Sequence, residues 1–317
     1  MSRIHEALKK AEQERAAVHA ADVAALPQPP VTTAAVGSET APDIPAGLAL
    51  QVSQAATITA MPADYLRFDE LQARCTHPQW TLDPNVNVLS MGSSSSHGAE
   101  QFRTLRSRLY QLRDNQALRT VLVTSSLPGE GKTFVTSNLA QAIVRQPGRR
   151  ALIIDADLRC ARLHMPLGAP ASPGLADYLR GEVDEMAVIQ NGQDGNLCFI
   201  AGGKEVTDPS ELLSNGRLKK LLDRVTPVFD WVILDSPPCL PVADASILAN
   251  LCDGVLLVVR AGVTPTEVAQ RACQELKGKN VVGVVLNAVD DTYANGSYYY
   301  QSYNYISRQN GSKTLKR

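Results

Sequence analysis

The apolar positions of this chain fall into short continuous runs separated by helix-like stretches, and strict apolar–polar alternation is rare. Val121, Leu122 and Val123 lead into SSLPGEGKT, and FVTSNLAQAIV follows. The pattern predicts a strand, a tight Gly/Pro loop and a helix start. ALIID, LCFI, WVILD, GVLLVV and VVGVVLN, beginning at residues 151, 197, 231, 254 and 281, are further unbroken apolar runs. Strands of that kind belong to a parallel sheet covered on both faces, so the expected class is α/β. Residues 211–225 are predicted as one helix. A clearer one follows residues 93–96, with Phe102, Leu105, Leu109 and Leu112 on one face. Tyr65, Leu66, Phe68 and Leu71 are placed on a shorter helix packed on the main domain.

The loop carries the chemistry. Gly129 and Gly131 allow main-chain N–H groups to turn inward around phosphate oxygens, where a Cβ would obstruct them. Lys132 can reach the β- and γ-phosphates, Thr133 can ligate Mg²⁺, and the helix start adds its partial positive charge. The motif expects a glycine at the opening position, where Ser126 stands. Ser125, Asp155, Asp235, Arg260 and Asn287 all sit at carboxyl ends of predicted strands, where such sheets gather ligands. Asp157 and Arg159 lie just beyond Asp155.

Outside this core, residues 1–20 place Ile4, Ala7, Leu8 and Ala11 on one helical face, read as a solvated helix or as a docking helix. Residues 21–63 turn to Ala, Pro, Thr and Val without period, the composition of a flexible tether. The main domain is expected over 64–289 and a tail over 290–317. That tail holds six of the nine tyrosines, Tyr293, Tyr298, Tyr299, Tyr300, Tyr303 and Tyr305, with hardly an aliphatic residue among them. It reads either as a sticky disordered segment or as a set of phenols exposed to modification. Glu100, Arg103 and Arg106 lie away from the apolar face of their helix, as an internal ion pair or as a contact between subunits.

Bulk numbers trim the alternatives. A formal net charge of −1 gives no general reason to expect nucleic-acid binding. The six cysteines contain no CxxC pair, which suggests neither a zinc site nor a disulfide framework. Arg260 cuts the longest apolar run and no signal-peptide core opens the chain, so membrane association is expected only through a partner.

The SSLPGEGKT loop, the IIDADLR and ILDSPP strand ends and the terminal tyrosines together resemble the bacterial tyrosine kinases of exopolysaccharide and capsule synthesis, over about residues 90–305. The resemblance implies a P-loop NTPase-like parallel sheet and an ATP- and Mg²⁺-dependent protein-tyrosine autokinase of the stand-alone cytoplasmic type. Lys132, Asp155, Asp157 and Asp235 are then catalytic, with Asp155 orienting the phenol. Pro128, Gly129, Glu130, Gly131, Lys132, Thr133 and Phe134 hold the nucleotide; Thr133, Asp157 and Asp235 hold the metal. Asn287 resembles the residue that reads the adenine edge, against a simple strand-end cap. The six tail tyrosines are the phosphoacceptors, and Glu100, Arg103 and Arg106 join copies in a ring. Expected partners are a membrane activator of chain-length-determinant type, which recruits the chain to the inner face of the membrane, and a protein tyrosine phosphatase. The partition and site-selection ATPases share the sheet, but they place a signature lysine where this chain has Leu127 and lack the tyrosine cluster. A nucleotide-dependent assembly factor whose tail merely binds is the non-catalytic alternative.

Overall fold

A computed structural model of the chain describes residues 66–89, 97–192 and 195–289, all within the unit Thr59–Arg317. The N-terminal helix and tether, Tyr65, residues 93–96 and the tyrosine tail lie outside the described residues.

Elements follow in the order α1 Phe68–Arg74, α2 His97–Asn115, β1 Thr120–Ser125, α3 Lys132–Val144, β2 Ala151–Asp155, α4 His164–Leu167, α5 Leu175–Arg180, α6 Glu185–Val188, β3 Ile189–Asn191, β4 Leu197–Ile200, α7 Pro209–Ser214, α8 Arg217–Val225, β5 Trp231–Asp235, α9 Asp244–Ala249, β6 Gly254–Arg260, α10 Thr266–Glu275 and β7 Val281–Asn287. The seven strands line up as β3-β4-β2-β5-β1-β6-β7. Every pairing is parallel except β3 with β4. The apolar runs thus form the expected sheet, while the three-residue antiparallel edge β3 is too short to leave a periodic signal.

Two apolar layers sandwich the sheet. Phe102 and Leu109 of α2, Leu139 and Ile143 of α3, and Leu163 and Leu167 beside and within α4 pack on Val121, Val123, Ile153 and Ile233. Leu218, Leu221, Leu222 and Val225 of α8, with Leu248 of α9 and Leu71 of α1, pack on Leu122, Leu152, Ile154 and Leu234 of the opposite face. The helix α3 lies between α2 and the sheet, so Val135 through Ile143 are buried all round it, which is why its sequence has no polar stripe.

Two expectations are corrected. The helix over 211–225 is two helices, because Gly216 takes φ +79° between α7 and α8. Asn215 fixes the break by donating its side-chain amide to the carbonyl of Leu179 at 2.9 Å. The sheet is also not covered throughout. On edge strand β7, Val284 and Leu286 are 57% and 59% exposed, although their sequence reads like that of a buried strand.

Candidate functional site

β1 ends at Ser125, and the chain turns through a loop into α3. Gly129 and Gly131 have φ +80° and +94°, left-handed conformations that glycine adopts without penalty. Gly131 is also the N-cap of α3, with no side-chain cap, so the first N–H groups of the helix remain available to an anion. Ser126 is fully buried and its hydroxyl has no protein partner.

The ends of β2 and β5 meet this loop. Lys132 Nζ lies 3.1 Å from Asp157 Oδ2, just beyond β2. Thr133 donates its hydroxyl to Asp235 Oδ2, at the end of β5, at 2.6 Å. Thr136, one turn on, reaches Asp235 Oδ1 at 3.4 Å. Asp155 and Asp235 are direct neighbours in the β2–β5 register. A cleft of about 530 Å³ opens between the loop (Pro128, Gly129, Gly131, Lys132, Thr133), Asp157 and an opposing wall from the loops after β2 and β5.

The predicted site residues do not all face this cleft. Asp155 is fully buried behind it, accepting the N–H of Leu163 at 2.9 Å and that of Asp157 at 3.3 Å. Glu130 turns its side chain away: one carboxylate oxygen accepts the N–H of Leu127 at 2.8 Å and the other accepts the hydroxyl of Thr264. Phe134 packs edge-on against Phe102, with ring centroids 5.7 Å apart. Asn287 donates its side-chain amide to the carbonyl of Glu130 at 2.9 Å, tying the end of β7 to the loop. Of the α2 residues, Arg103 pairs with Glu100 at 2.8 Å. Arg106, expected to point outward, instead donates to the carbonyl of Ala142 in α3 at 2.6 Å.

Residues 118–277 match the family model described as an AAA domain. The chain is 35% identical over 204 residues to tyrosine-protein kinase YwqD of Bacillus subtilis (strain 168), a match that spans 63% of this chain and 85% of YwqD. The chain belongs to the bacterial tyrosine-protein kinase family. The kinase domain of the Escherichia coli tyrosine kinase ETK is 34% identical and superposes with a TM-score of 0.60, covering 63% of this chain and 79% of that one. The putative tyrosine-protein kinase AmsA of Erwinia amylovora is 35% identical over 235 residues, which are 73% of this chain and 32% of AmsA. The chain therefore spans about a third of the length of that relative.

In this kinase-family chain, burial and mutual repulsion shape the electrostatics of the cleft. Desolvation, reinforced by Asp235, lifts Asp155 well above the usual carboxylate range. Burial likewise pushes Asp235 up to about 6, against the opposing pull of Lys132 and Thr133. Burial pulls Lys132 down, but Asp235 and Asp157 outweigh it and leave the ammonium above its ordinary value. Two adjoining carboxylates that resist ionisation make a site that gains from a cation in front of them.

Several supporting residues surround the site, two of them, Arg159 and Arg260, already marked by the strand ends where they lie. Arg159 forms a two-pronged pair with Asp244 of α9, at 2.7 and 3.0 Å, and these groups hold the Asp244 carboxyl below its ordinary value despite burial. Arg260 donates to the carbonyl of Gly129 at 3.4 Å. Thr264 and Thr136 complete the set. Thr136 sits four residues past Lys132 on the helix face that meets β5, the one member that helical spacing from the loop points to.

Proposed function

We propose that this chain is an ATP-dependent protein-tyrosine kinase that phosphorylates tyrosines of its own C-terminal tail, between copies, in the control of exopolysaccharide or capsule polymerisation and export. The observation that carries the reading is the Lys132–Asp157 pair at 3.1 Å beside the Thr133–Asp235 bond at 2.6 Å, over a glycine loop shaped for phosphate.

Lys132 and the loop N–H groups hold the β- and γ-phosphates. Among the described residues, no cluster of three carboxylate, His or Cys side chains could by itself hold a metal. The Thr133–Asp235 pair nevertheless suits Mg²⁺, which takes one or two protein ligands and shares the phosphates. Bound there with the nucleotide, it would neutralise charge developing on the transferred group. Asp157 faces the cleft whereas Asp155 does not, so the geometry favours Asp157 as the group that orients the acceptor phenol and Asp155 as its support. A triphosphate draws Lys132 away and leaves the Asp157 carboxylate facing the phenol. The phenolic oxygen then bonds to the γ-phosphorus, the bond to the bridging oxygen breaks, ADP leaves and the phenol proton passes to Asp157. Because a phenol is a far weaker acid than a carboxylic acid, most of the rate must come from positioning.

Transfer between copies follows from the tail. Eighteen residues separate Asn287 from Tyr305, and a random coil of that length spans roughly 23 Å. A ring of copies with Glu100 at a contact, a membrane activator of chain-length-determinant type at the inner face of the membrane and an opposing phosphatase belong to the same reading. Each added phosphate brings about −1.5 to −2 charges, so several on one tail would repel one another and the triphosphate of a bound nucleotide and release the tail.

The test is phosphotyrosine mapping after incubation with Mg-ATP. Wild type gains phosphate on the tail and Lys132→Met does not. Wild type that stays unlabelled, even with a cognate activator present, refutes the reading.

A further inference from the structure

The wall of the cleft opposite the phosphate loop differs in character from the rest of the site. It consists of Pro237, Pro238, Pro241 and Val242 after β5, with Arg159, Cys160 and Arg162 after β2. Proline offers no N–H and keeps a fixed backbone, so this side presents a stiff apolar surface that makes few polar demands. A flat ring carrying one hydroxyl fits such a surface, with the hydroxyl directed toward Asp157 and Lys132.

The two arginines of the wall are in different states. Arg159 is engaged, its guanidinium shared between Asp244 and Ser210. Arg162 is exposed, and its guanidinium has no ion pair or hydrogen bond among the described residues. An always-charged fork at the lip of a cleft attracts carboxylate or phosphate. Its charge is not needed by the fold.

We infer that Arg162 is a specificity-determining residue that selects acceptor tyrosines preceded by acidic side chains, while the proline wall receives the ring. The occupant is the tail of a second copy. In this chain Asp290 and Asp291 stand three and two residues before Tyr293, whereas Tyr298, Tyr299, Tyr300, Tyr303 and Tyr305 lie among Gly, Ser, Asn and Gln. Tyr293 is therefore the tyrosine that Arg162 favours. The inference rests on the kinase reading above and adds which acceptor is taken first.

The experiment uses the full chain and two synthetic peptides, AVDDTYANGS and its counterpart with both aspartates changed to asparagine. Wild type should show a KM for the acidic peptide about 3- to 10-fold below that for the neutral one, the size of a partly desolvated charge pair. Arg162→Gln should erase the difference, Arg162→Lys should restore part of it, and affinity for fluorescent ADP should stay within about twofold in both. Equal KM values for the two peptides with wild type would overturn the inference while leaving the kinase reading intact. A parallel loss of ADP affinity in Arg162→Gln would instead make Arg162 a nucleotide ligand and overturn it. A wild-type chain that phosphorylates neither peptide nor its own tail removes both readings together.

Discussion

The side-chain amide of Asn287 donates to the main-chain carbonyl of Glu130 at 2.9 Å, and the same nitrogen occupies the space that a Cβ on Gly131 would need. The end of edge strand β7 thus sets how the phosphate loop can be built. Gly131→Ala should suffer twice, from φ +94° and from collision with this amide. The expected cost is on the order of 2 kcal/mol of stability, together with loss of nucleotide binding. Removing the obstacle separates the two causes. Gly131→Ala combined with Asn287→Ala should be less destabilised than the sum of the single changes, read by urea denaturation as a double-mutant cycle. Strict additivity would mean that the collision is relieved some other way.

Asp235 makes a prediction in pH. Burial pushes its carboxyl up to about 6 in the folded chain, against about 3.9 when unfolded. Between those values the folded state binds more protons, so stability attributable to this group falls as pH rises through the window and stays lost above it. Asp235→Asn cannot ionise. Measured without nucleotide, the stability difference between variant and wild type should therefore move in the variant's favour by on the order of 2 to 3 kcal/mol from pH 4 to pH 7.5. The lost hydroxyl contacts of Thr133 and Thr136 shift both ends of that comparison equally. Melting curves across the range provide the check, and a difference that ignores pH would rule out a raised Asp235. Transfer of phosphate should be absent in the variant throughout.

Most of the sheet could be read from the chain because its strands are buried on both faces and their apolar runs are unbroken, and the loop could be read because only glycine tolerates φ +80° and +94°. The helix break at Asn215–Gly216 was hidden by the good amphipathic pattern on either side of it. Exposure of Val284 and Leu286 was hidden because β7 is an edge, a property of strand order that composition does not carry. Within the site, D-x-D marks two carboxylates but not which one faces the cleft. That choice is made by the N–H groups of Leu163 and Asp157, which hold Asp155 inside. The contact of Glu130 with Thr264 spans 134 residues and leaves no local signature.

Two of the residues expected to join copies, Glu100 and Arg106, should separate under mutation. The last carbonyls of α3 have no helical partners of their own. Arg145 N serves Gln141, Arg106 serves Ala142, Gln146 N serves Ile143 and Asn196 serves Val144. Arg106→Ala strips one of these and should cost about 1 to 2 kcal/mol in the monomer. Among the described residues Glu100 makes one exposed ion pair, with Arg103, so Glu100→Ala should cost less than about 0.5 kcal/mol. Urea denaturation alongside sedimentation would resolve the two effects. An assembly defect in Glu100→Ala at full stability would mark a true contact between copies, whereas the same defect in Arg106→Ala would have to be corrected for unfolding.

Thr264 is the residue through which the loop after β6 controls the phosphate loop. Glu130 is buried, and among the described residues its carboxylate is satisfied by two donors, the N–H of Leu127 and the hydroxyl of Thr264. Both Leu127 and Glu130 belong to the phosphate loop, so the carboxylate pins that loop to itself and to the loop after β6 at once. Thr264→Val keeps the shape and removes one donor, leaving a buried anionic oxygen unpaired, at a cost of about 1 to 3 kcal/mol. The loop can escape this penalty by turning Glu130 outward, which abandons the preformed cradle. Nucleotide must then rebuild the cradle on binding, so the KM for ATP should rise about 10-fold or more while kcat, set once the cradle is formed, changes far less. Thr264→Ser restores the hydroxyl without the methyl and should recover most of the affinity. If valine and serine at this position gave the same KM, the hydroxyl would have no part in shaping the loop, and the tie between Glu130 and the loop after β6 would be packing alone.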